Sequence, residues 1–301
     1  MINPLPMAPI TFVIPARNLD TLHRTLSMLA FQKDPDLRAV VVDFAGSDAV
    51  ATLVPDFEAR FPVSVVTVEQ AGQPLWKTCL DAAPDAEWVC FLLPGVDFNE
   101  TSVKRMTRCI DWHDTYDAFR WNLTEPNRKW KCRTRPDRIF TRLFVDGDAA
   151  PLSSFVFRAQ VLRDAFAEDS EAAGLAPAVI LTAAKRTGVR TVRRERIGHT
   201  APAPCTDPSL EEKEIRSRLA FFRWSEKYFG DDYPLGVSDR LALFAGELAR
   251  LYPSYTYDEL KENLGTFAVV SGPVRRLRAA SALKSALKAR QDALTKPKAE
   301  A

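Results

Sequence analysis

The first hundred residues alternate between short apolar runs and stretches in which apolar residues recur every three or four positions. The apolar runs predict buried strands, and the helical spacing between them predicts amphipathic helices. Four strands are predicted, at residues 10–15, 38–43, 63–68 and 87–93. Helices are predicted at residues 19–31, 47–60 and 74–83. Because a strand, a crossover helix and a parallel strand pack with one handedness, the repeated unit predicts an α/β fold: a mostly parallel sheet sandwiched by helices.

The pattern changes at about residue 205. Before that point further helices are predicted at 101–112, 159–166 and 178–187, and further strands at 119–123, 140–145 and 189–192. After it only helical patterns occur, at 210–229, 238–251, 257–264 and 273–294. We therefore expect an α/β domain over residues 9–204 and an α-helical C-terminal region over residues 205–301.

Polar groups stand at the carboxyl ends of three predicted strands, the edge at which open α/β sheets bind ligands. The first strand runs into Ile14-Pro15-Ala16-Arg17-Asn18. The second ends in Val42-Asp43-Phe44-Ala45-Gly46-Ser47-Asp48, and the fourth in Phe91-Leu92-Leu93-Pro94-Gly95-Val96-Asp97. No G-x-G-x-x-G follows the first strand, so the dinucleotide-binding fingerprint is absent.

These three segments, in this order and spacing, resemble the I-P-x-x-N, V-D-D-x-S-x-D and F-L-D-x-D-D motifs of the inverting family 2 glycosyltransferases with the GT-A fold. The resemblance covers about residues 9–200. It implies a GT-A-type sheet and a glycosyltransferase of the hexosyltransferase type, of the kind that serves polysaccharide biosynthesis. It also implies a nucleotide-diphosphate sugar as donor and a glycan or lipid-linked acceptor.

The chain departs from the family pattern at its acids. Phe44 stands where the second acid of V-D-D is usual, and Leu93 and Gly95 fall where the two D-x-D acids usually lie. Leu175-Ala176 aligns with the E-D pair that supplies the general base in the family. These departures leave open whether the chain is an active enzyme.

The resemblance implies a nucleotide-binding group at the sheet edge. Its members are Pro15, Arg17, Asn18, Asp43, Phe44 and Lys77. In the family the strand end at Asp43 contacts the base or ribose, and the Phe44 ring could stack on a base. From the residues alone, Asp43 also fits a strand-end acid that binds turn N–H groups, and Arg17 fits a surface salt bridge.

Two arrangements could neutralise the donor diphosphate. In one, Mn2+ or Mg2+ is held by Asp97, with His199 as a further ligand, and phosphate oxygens complete the shell. In the other no metal is needed, because the basic stretch 128–138 supplies guanidinium groups to the phosphates. The phosphate-binding candidates are Arg133, Arg135 and Arg138. Asp97 also fits a helix cap, and the basic stretch a solvated hairpin.

The general base requires an acid near the acceptor hydroxyl. Glu168 and Asp169 are the candidates, because they lie several residues before the position of the family's E-D pair. A loop rearrangement would be needed to bring them into use. The alternative is a solvated acidic turn that also includes Glu171.

Composition excludes several other classes. The net charge of +2 argues against a basic nucleic-acid binder, so no nucleic-acid partner is expected. Five widely spaced cysteines without a C-x-x-C pair indicate free thiols in a reducing compartment. Neither a signal peptide nor a run of about 18 apolar residues is visible. A cytoplasmic location is therefore expected.

The basic amphipathic pattern at 273–294 predicts either peripheral contact with an anionic membrane, at its inner face, or a helix packed on the body or a partner. Three functions follow for the whole chain. The first is a glycosyltransferase, the second is a non-catalytic GT-A-like binding or assembly subunit, and the third is an α/β scaffold whose helical tail recruits partners.

Overall fold

The computed structural model describes most of the chain. The described residues are 9–16, 18–33, 37–44, 46, 48–68, 74–93, 96–123, 133–140, 151–199 and 208–230, with short helical pieces at 245–246, 249, 281–282 and 284–288. The chain forms two compact units, Met1–Pro202 and Ala203–Ala301. The first unit contains the whole of the described sheet, and the described elements of the second are helical.

The strands are β1 (Ile10–Ala16), β2 (Leu37–Asp43), β3 (Val63–Thr67), β4 (Trp88–Phe91), β5 (Val96–Asp97), β6 (Ala118–Leu123), β7 (Arg133–Thr134), β8 (Phe155–Arg158) and β9 (Val189–His199). The α-helices are α1 (Leu19–Ala30), α2 (Asp48–Leu53), α3 (Pro55–Glu58), α4 (Leu75–Asp81), α5 (Ser102–Trp112), α6 (Pro136–Phe140), α7 (Ala159–Glu168), α8 (Ala176–Ala184) and α9 (Pro208–Phe229). Short 3-10 turns occupy Leu152–Ser154 and Ala172–Gly174.

The strands form one mixed sheet in the order β3-β2-β1-β4-β8-β6-β9-β5, with β7 also paired to β9. Among the nine described strands, six run in one direction, and β5, β7 and β8 run against them. The predicted mostly parallel sheet is therefore confirmed. The antiparallel strand β8 lies between β4 and β6 and separates two blocks of parallel strands.

Helices cover both faces of the sheet, which explains why β1 is buried at all seven of its positions. On one face Leu26 of α1 and Met106 of α5 join a core cluster with Trp121 of β6. On the other face the Trp76 ring of α4 lies 5.3 Å from the ring of Phe91 in β4. Apolar residues at helical spacing bury one stripe of each helix against the strands.

Three sequence predictions were wrong in detail. The helix predicted at 47–60 is two helices, α2 and α3, because Pro55 has no N–H for an intrahelical hydrogen bond and instead begins α3. Phe140, predicted to open a strand over 140–145, is the last residue of α6, and the rest of that segment lies outside the described residues. The strand predicted at 189–192 extends to His199.

Cys79, Cys90 and Cys109 are free thiols, as predicted for them. Burial raises the pKa of the Cys90 thiol well above its ordinary range, so this residue packs as a small apolar group. In the parts of the chain that the structure describes, every helix is too short or too polar to cross a membrane.

The described core of the second unit is centred on α9. The indole of Trp224 stacks between two rings of the same helix, with centroid distances of 5.9 Å to Phe221 and 4.7 Å to Tyr228. Burial raises the pKa of Tyr228 to about 12. These three side chains lie three or four residues apart, so they occupy one face of the helix.

Candidate functional site

The carboxyl ends of β1 to β4 meet at one edge of the sheet, which we call the carboxyl edge. Ala16 at the end of β1 pairs with Asp43 at the end of β2, and Asp43 pairs with Thr67 at the end of β3. The register continues into β4, because the Leu92 N–H donates to the Val13 carbonyl at 2.9 Å. Ends of parallel strands are where open α/β sheets bind ligands.

Asp43 is the acid buried at this edge, with 2% of its surface exposed. It occupies the same face of β2 as the core residues Ala39 and Val41, because side chains two apart share a face. Its backbone carbonyl accepts a hydrogen bond from the Val68 N–H at 3.0 Å. The neighbouring Phe44 is half-buried. At this point of the edge a buried carboxyl group therefore stands beside a partly exposed aromatic ring.

The segment after β1 is the N-cap of α1. Asn18 is exposed, and its Oδ1 accepts a hydrogen bond from the Thr21 N–H at 3.1 Å, which satisfies a helix N-terminal amide. Pro15 is buried within β1. Arg17, the other candidate of this segment, lies outside the described residues.

Lys77 lies in the first turn of α4. Its Nζ donates to Asp81 Oδ2 at 2.5 Å, four residues along the same helix. Both side chains are partly exposed, at 34% and 51%, so this ion pair is accessible to water. Lys77 is therefore held along the surface of its own helix.

Leu93, which stands at the position of the first D-x-D acid, is hydrogen-bonded through its backbone to a neighbouring segment. Leu93 is half-buried, and its N–H donates to the hydroxyl of the buried Ser153 at 2.6 Å. An apolar side chain supplies no metal ligand. Ser153 precedes β8, and no local sequence signal indicated that it would contact Leu93.

Asp97 lies beyond that position, in β5. Its carboxylate forms an ion pair with Arg24 of α1 at 3.2 Å, with side chains 47% and 74% exposed. Asp97 pairs with Gly198 of β9, whereas His199 pairs with Val96. The two metal-ligand candidates are therefore one register position apart in the pairing of β5 with β9. Across the described residues, no group of three potential metal-ligating side chains occurs.

Glu168 and Asp169 stand at the end of α7. Glu168 is exposed, whereas Asp169 is half-buried, and its Oδ1 accepts a hydrogen bond from the Glu171 N–H at 3.0 Å. The following turn reaches the carboxyl edge, because a Cβ placed on Gly174 would lie 4.0 Å from Pro74 Cβ, at the start of α4. The loop 168–171, which we call the acidic loop, and Asp43 are thus at the same edge of the sheet.

The described part of the basic stretch, residues 133–138, lies elsewhere. Arg133 and Thr134 form β7, and Thr134 is in one row of paired residues with Val189, Ala118, Phe157, Val89 and Thr11. That row is five residues, about 16 Å, below the end of β1. Six inter-strand spacings, about 29 Å, separate β7 from β2. Arg133 is therefore roughly 30 Å from Asp43.

Arg135 and Arg138 follow β7 into α6. The Arg135 carbonyl accepts hydrogen bonds from the N–H groups of Arg138 and Ile139, both at 3.1 Å, which starts the helix. Both arginine side chains are exposed. The structure thus brings Pro15, Asn18, Asp43, Phe44 and the acidic loop to the carboxyl edge, and it places Arg133 at the opposite edge.

Comparison with known proteins supports the fold. No protein-family model matches the chain, and no curated protein matches its sequence. Among solved structures, S. aureus TarS residues 1–349 in complex with UDP-GlcNAc aligns with 13% identity and a TM-score of 0.59, covering 95% of this chain and 92% of that one. The mannosyltransferase PcManGT from Pyrobaculum calidifontis, in complex with GDP-Man and Mn2+, aligns with 16% identity and a TM-score of 0.50, covering 96% and 91%.

These similarities extend over nearly the whole length of both chains. At such low identity they show the fold alone, which is the GT-A fold of nucleotide-sugar transferases that the sequence motifs predicted. Membership of family 2 stays a prediction.

Proposed function

We propose that this GT-A chain is a glycosyltransferase of the hexosyltransferase type, which transfers a sugar from a nucleotide-diphosphate donor bound at the carboxyl edge. The observation that carries the proposal is the buried carboxylate of Asp43 at a strand end, in register with the end of β1. A carboxylate accepts hydrogen bonds through two oxygens, and the N–H and O–H groups of a base and ribose are suitable donors to it. The proteins of similar fold that were solved in complex with UDP-GlcNAc and with GDP-Man support this donor class.

We assign Asp169 as the general base. The family resemblance implies an inverting transfer, in which a base takes the proton of the acceptor hydroxyl while its oxygen attacks the anomeric carbon. The nucleoside diphosphate then leaves from the opposite face with the electron pair of the broken bond. Asp169 suits this role better than Glu168, because it is half-buried and the Glu171 N–H orients its carboxylate.

The described residues do not fit a metal held by a D-x-D pair. Leu93 supplies no oxygen ligand, and Asp97 already forms an ion pair with Arg24. We therefore expect any Mn2+ or Mg2+ to bind mainly through the nucleotide phosphates.

The acceptor is expected to be a glycan or a lipid-linked saccharide, and the C-terminal basic helix would bring the enzyme to an anionic membrane. The described part of that helix supports the second point. Lys284 and Lys288 are exposed and four residues apart, on one face, whereas Leu287 is partly buried. Basic side chains on one face of a helix favour anionic lipid surfaces.

One observation favours a second function. The family carries its metal-binding acids where this chain has Leu93 and Gly95, and its general base where this chain has Leu175-Ala176, at the start of α8. A chain that lost both sets of acids could bind a nucleotide sugar without transferring it. It would then act as a binding or assembly subunit.

The test is release of nucleoside diphosphate from a panel that includes UDP-GlcNAc and GDP-mannose, with thermal shift as a parallel measure of binding. We expect wild-type protein to bind and turn over at least one donor. Asp169→Asn should lose about 10²- to 10⁴-fold in turnover, as for removal of a general base. Glu168→Gln, the matched control one residue away, should keep wild-type turnover.

The outcomes separate the alternatives. Binding without turnover in wild-type protein would favour the binding subunit. Absence of binding to every donor would reject both functions. Equal turnover in Asp169→Asn and Glu168→Gln would reject the assignment of the base while leaving the transferase intact.

A further inference from the structure

A pair of arginines lies at the amino edge of the sheet, where β6 and β9 begin. Arg133 of β7 pairs directly with Arg190 of β9 in antiparallel register. Residues directly opposite each other on antiparallel strands share a face, and like charges in that arrangement destabilise the pairing. The pair therefore places two positive charges next to each other on one face of the sheet.

The neighbouring side chains compensate only in part. The guanidinium carbons of Arg133 and Arg190 lie 5.9 Å and 6.0 Å from the centroid of the Tyr116 ring, within the range of cation–π attraction. The Arg190 Nη2 lies 2.8 Å from His113 Nε2, which accepts its hydrogen bond when the imidazole is neutral. None of these partners carries a negative charge.

Nearby arginines show the contrast. Arg158 and Arg186 bind the buried carboxylate of Asp117, at 3.3 Å and 3.0 Å. Among the described residues, no carboxylate forms an ion pair with Arg133 or Arg190. The Nε of Arg190 is also buried and has no hydrogen-bond partner among them. A buried N–H without an acceptor is costly and rare in native proteins.

We propose that Arg133 and Arg190 form a binding site for a phosphate group, with the Tyr116 ring beside both guanidinium groups. Planar guanidinium groups match phosphate oxygens with paired hydrogen bonds, and a phosphate would supply the missing negative charge to both arginines. The site lies roughly 30 Å from Asp43, by the strand spacings of the sheet. It is therefore separate from the donor site and independent of the proposed function.

The phosphate chemistry fits either a free phosphorylated solute or a lipid headgroup. The experiment uses the full-length chain and titrates inorganic phosphate by isothermal calorimetry. Arg190→Gln and Arg133→Gln should each weaken phosphate binding by at least about tenfold, as expected for loss of a charge-assisted hydrogen bond. The control is Arg60→Gln, an exposed arginine just before β3, at the far end of the sheet. It removes the same charge and should leave the dissociation constant within about twofold of wild type.

Retained phosphate affinity in folded Arg133→Gln would overturn the site. Equal weakening by Arg60→Gln would also overturn it, because the effect would then come from net charge alone. Since Arg133 is exposed, its variant keeps the test valid if Arg190→Gln fails to fold. Arg190→Lys, which keeps the charge but loses the guanidinium fork, should bind with intermediate affinity.

Sedimentation with phosphatidic acid vesicles then separates the two sources of phosphate. Vesicle binding that Arg133→Gln abolishes, together with weak binding of free phosphate, assigns the site to a lipid headgroup. Strong binding of free phosphate, with vesicle binding that the variant leaves unchanged, assigns it to a soluble ligand. Absence of both would overturn the proposal.

Discussion

Replacement of Asp43 by Asn tests the donor site most directly. The substitution keeps the size of the side chain but removes its charge and exchanges one acceptor oxygen for an N–H2 donor. Asp43 is 2% exposed, so a nucleotide N–H or O–H that faces the new amide would be cut off from water as well as from its acceptor.

The expected loss follows from that burial. A hydrogen bond to a charged group contributes about 1.5–3 kcal/mol, and an unsatisfied buried donor costs a similar amount. Each 1.4 kcal/mol corresponds to a factor of about ten in the dissociation constant. We therefore expect Asp43→Asn to weaken nucleoside-diphosphate binding by about 10- to 150-fold.

Calorimetric titration with the best-binding nucleoside diphosphate measures this loss. Asp48→Asn is the control. Asp48 is exposed at the start of α2, five residues after Asp43, and its replacement removes the same charge. The control should keep the wild-type dissociation constant. Wild-type affinity in a folded Asp43→Asn variant would remove Asp43 from the donor site.

Three further predictions concern the metal, the core and the tail. Electron paramagnetic resonance should detect no tight binding of manganese to the protein until a nucleoside diphosphate is added, because Leu93 supplies no ligand. Tight binding to the nucleotide-free protein would point to another ligand set. Trp121→Phe should lower the unfolding free energy in urea by about 1–3 kcal/mol, since it deletes the 3.0 Å hydrogen bond to Ser102 and leaves a cavity; an unchanged midpoint would contradict this. Deleting the chain after Ser271 should abolish sedimentation with anionic vesicles at low salt without changing nucleotide affinity; full-length protein that ignores such vesicles would favour a packed helix.

The local sequence pattern was sufficient to predict β1 and β2, whose ends form part of the carboxyl edge. β1 and β2 are apolar at nearly every position because both faces are covered, and such runs are readable without knowledge of the partners. β9 was predicted too short, since Arg193–Arg196, which follows the predicted strand, is charged at every position. Pairing with β6 on one side and β5 on the other extends it to His199. Tertiary pairing overrides local preference in such strands.

A site residue could be placed from the sequence when its position depends on its own strand, and not when it depends on pairing with a distant strand. Asp43 could be placed at the sheet edge, because its position follows from the end of its own strand. Arg133 could not be placed, because its location depends on pairing with Arg190, 57 positions later in the sequence. The ion pair of Arg24 with Asp97 likewise joins residues that no local pattern relates.

The position of β8 between β4 and β6 has a consequence for synthesis on the ribosome. β6 is synthesised before β8, although β8 is the strand that joins β6 to β4 in the sheet. β8 follows β6 roughly 35 residues later. At translation rates of about 5–20 residues per second, the edge of β6 that faces β8 stays unpaired for about 2–7 seconds, and that of β4, which is made earlier, stays unpaired for longer. Unpaired edges recruit strands from other chains, so nascent chains in this interval are the ones that chaperones must shield.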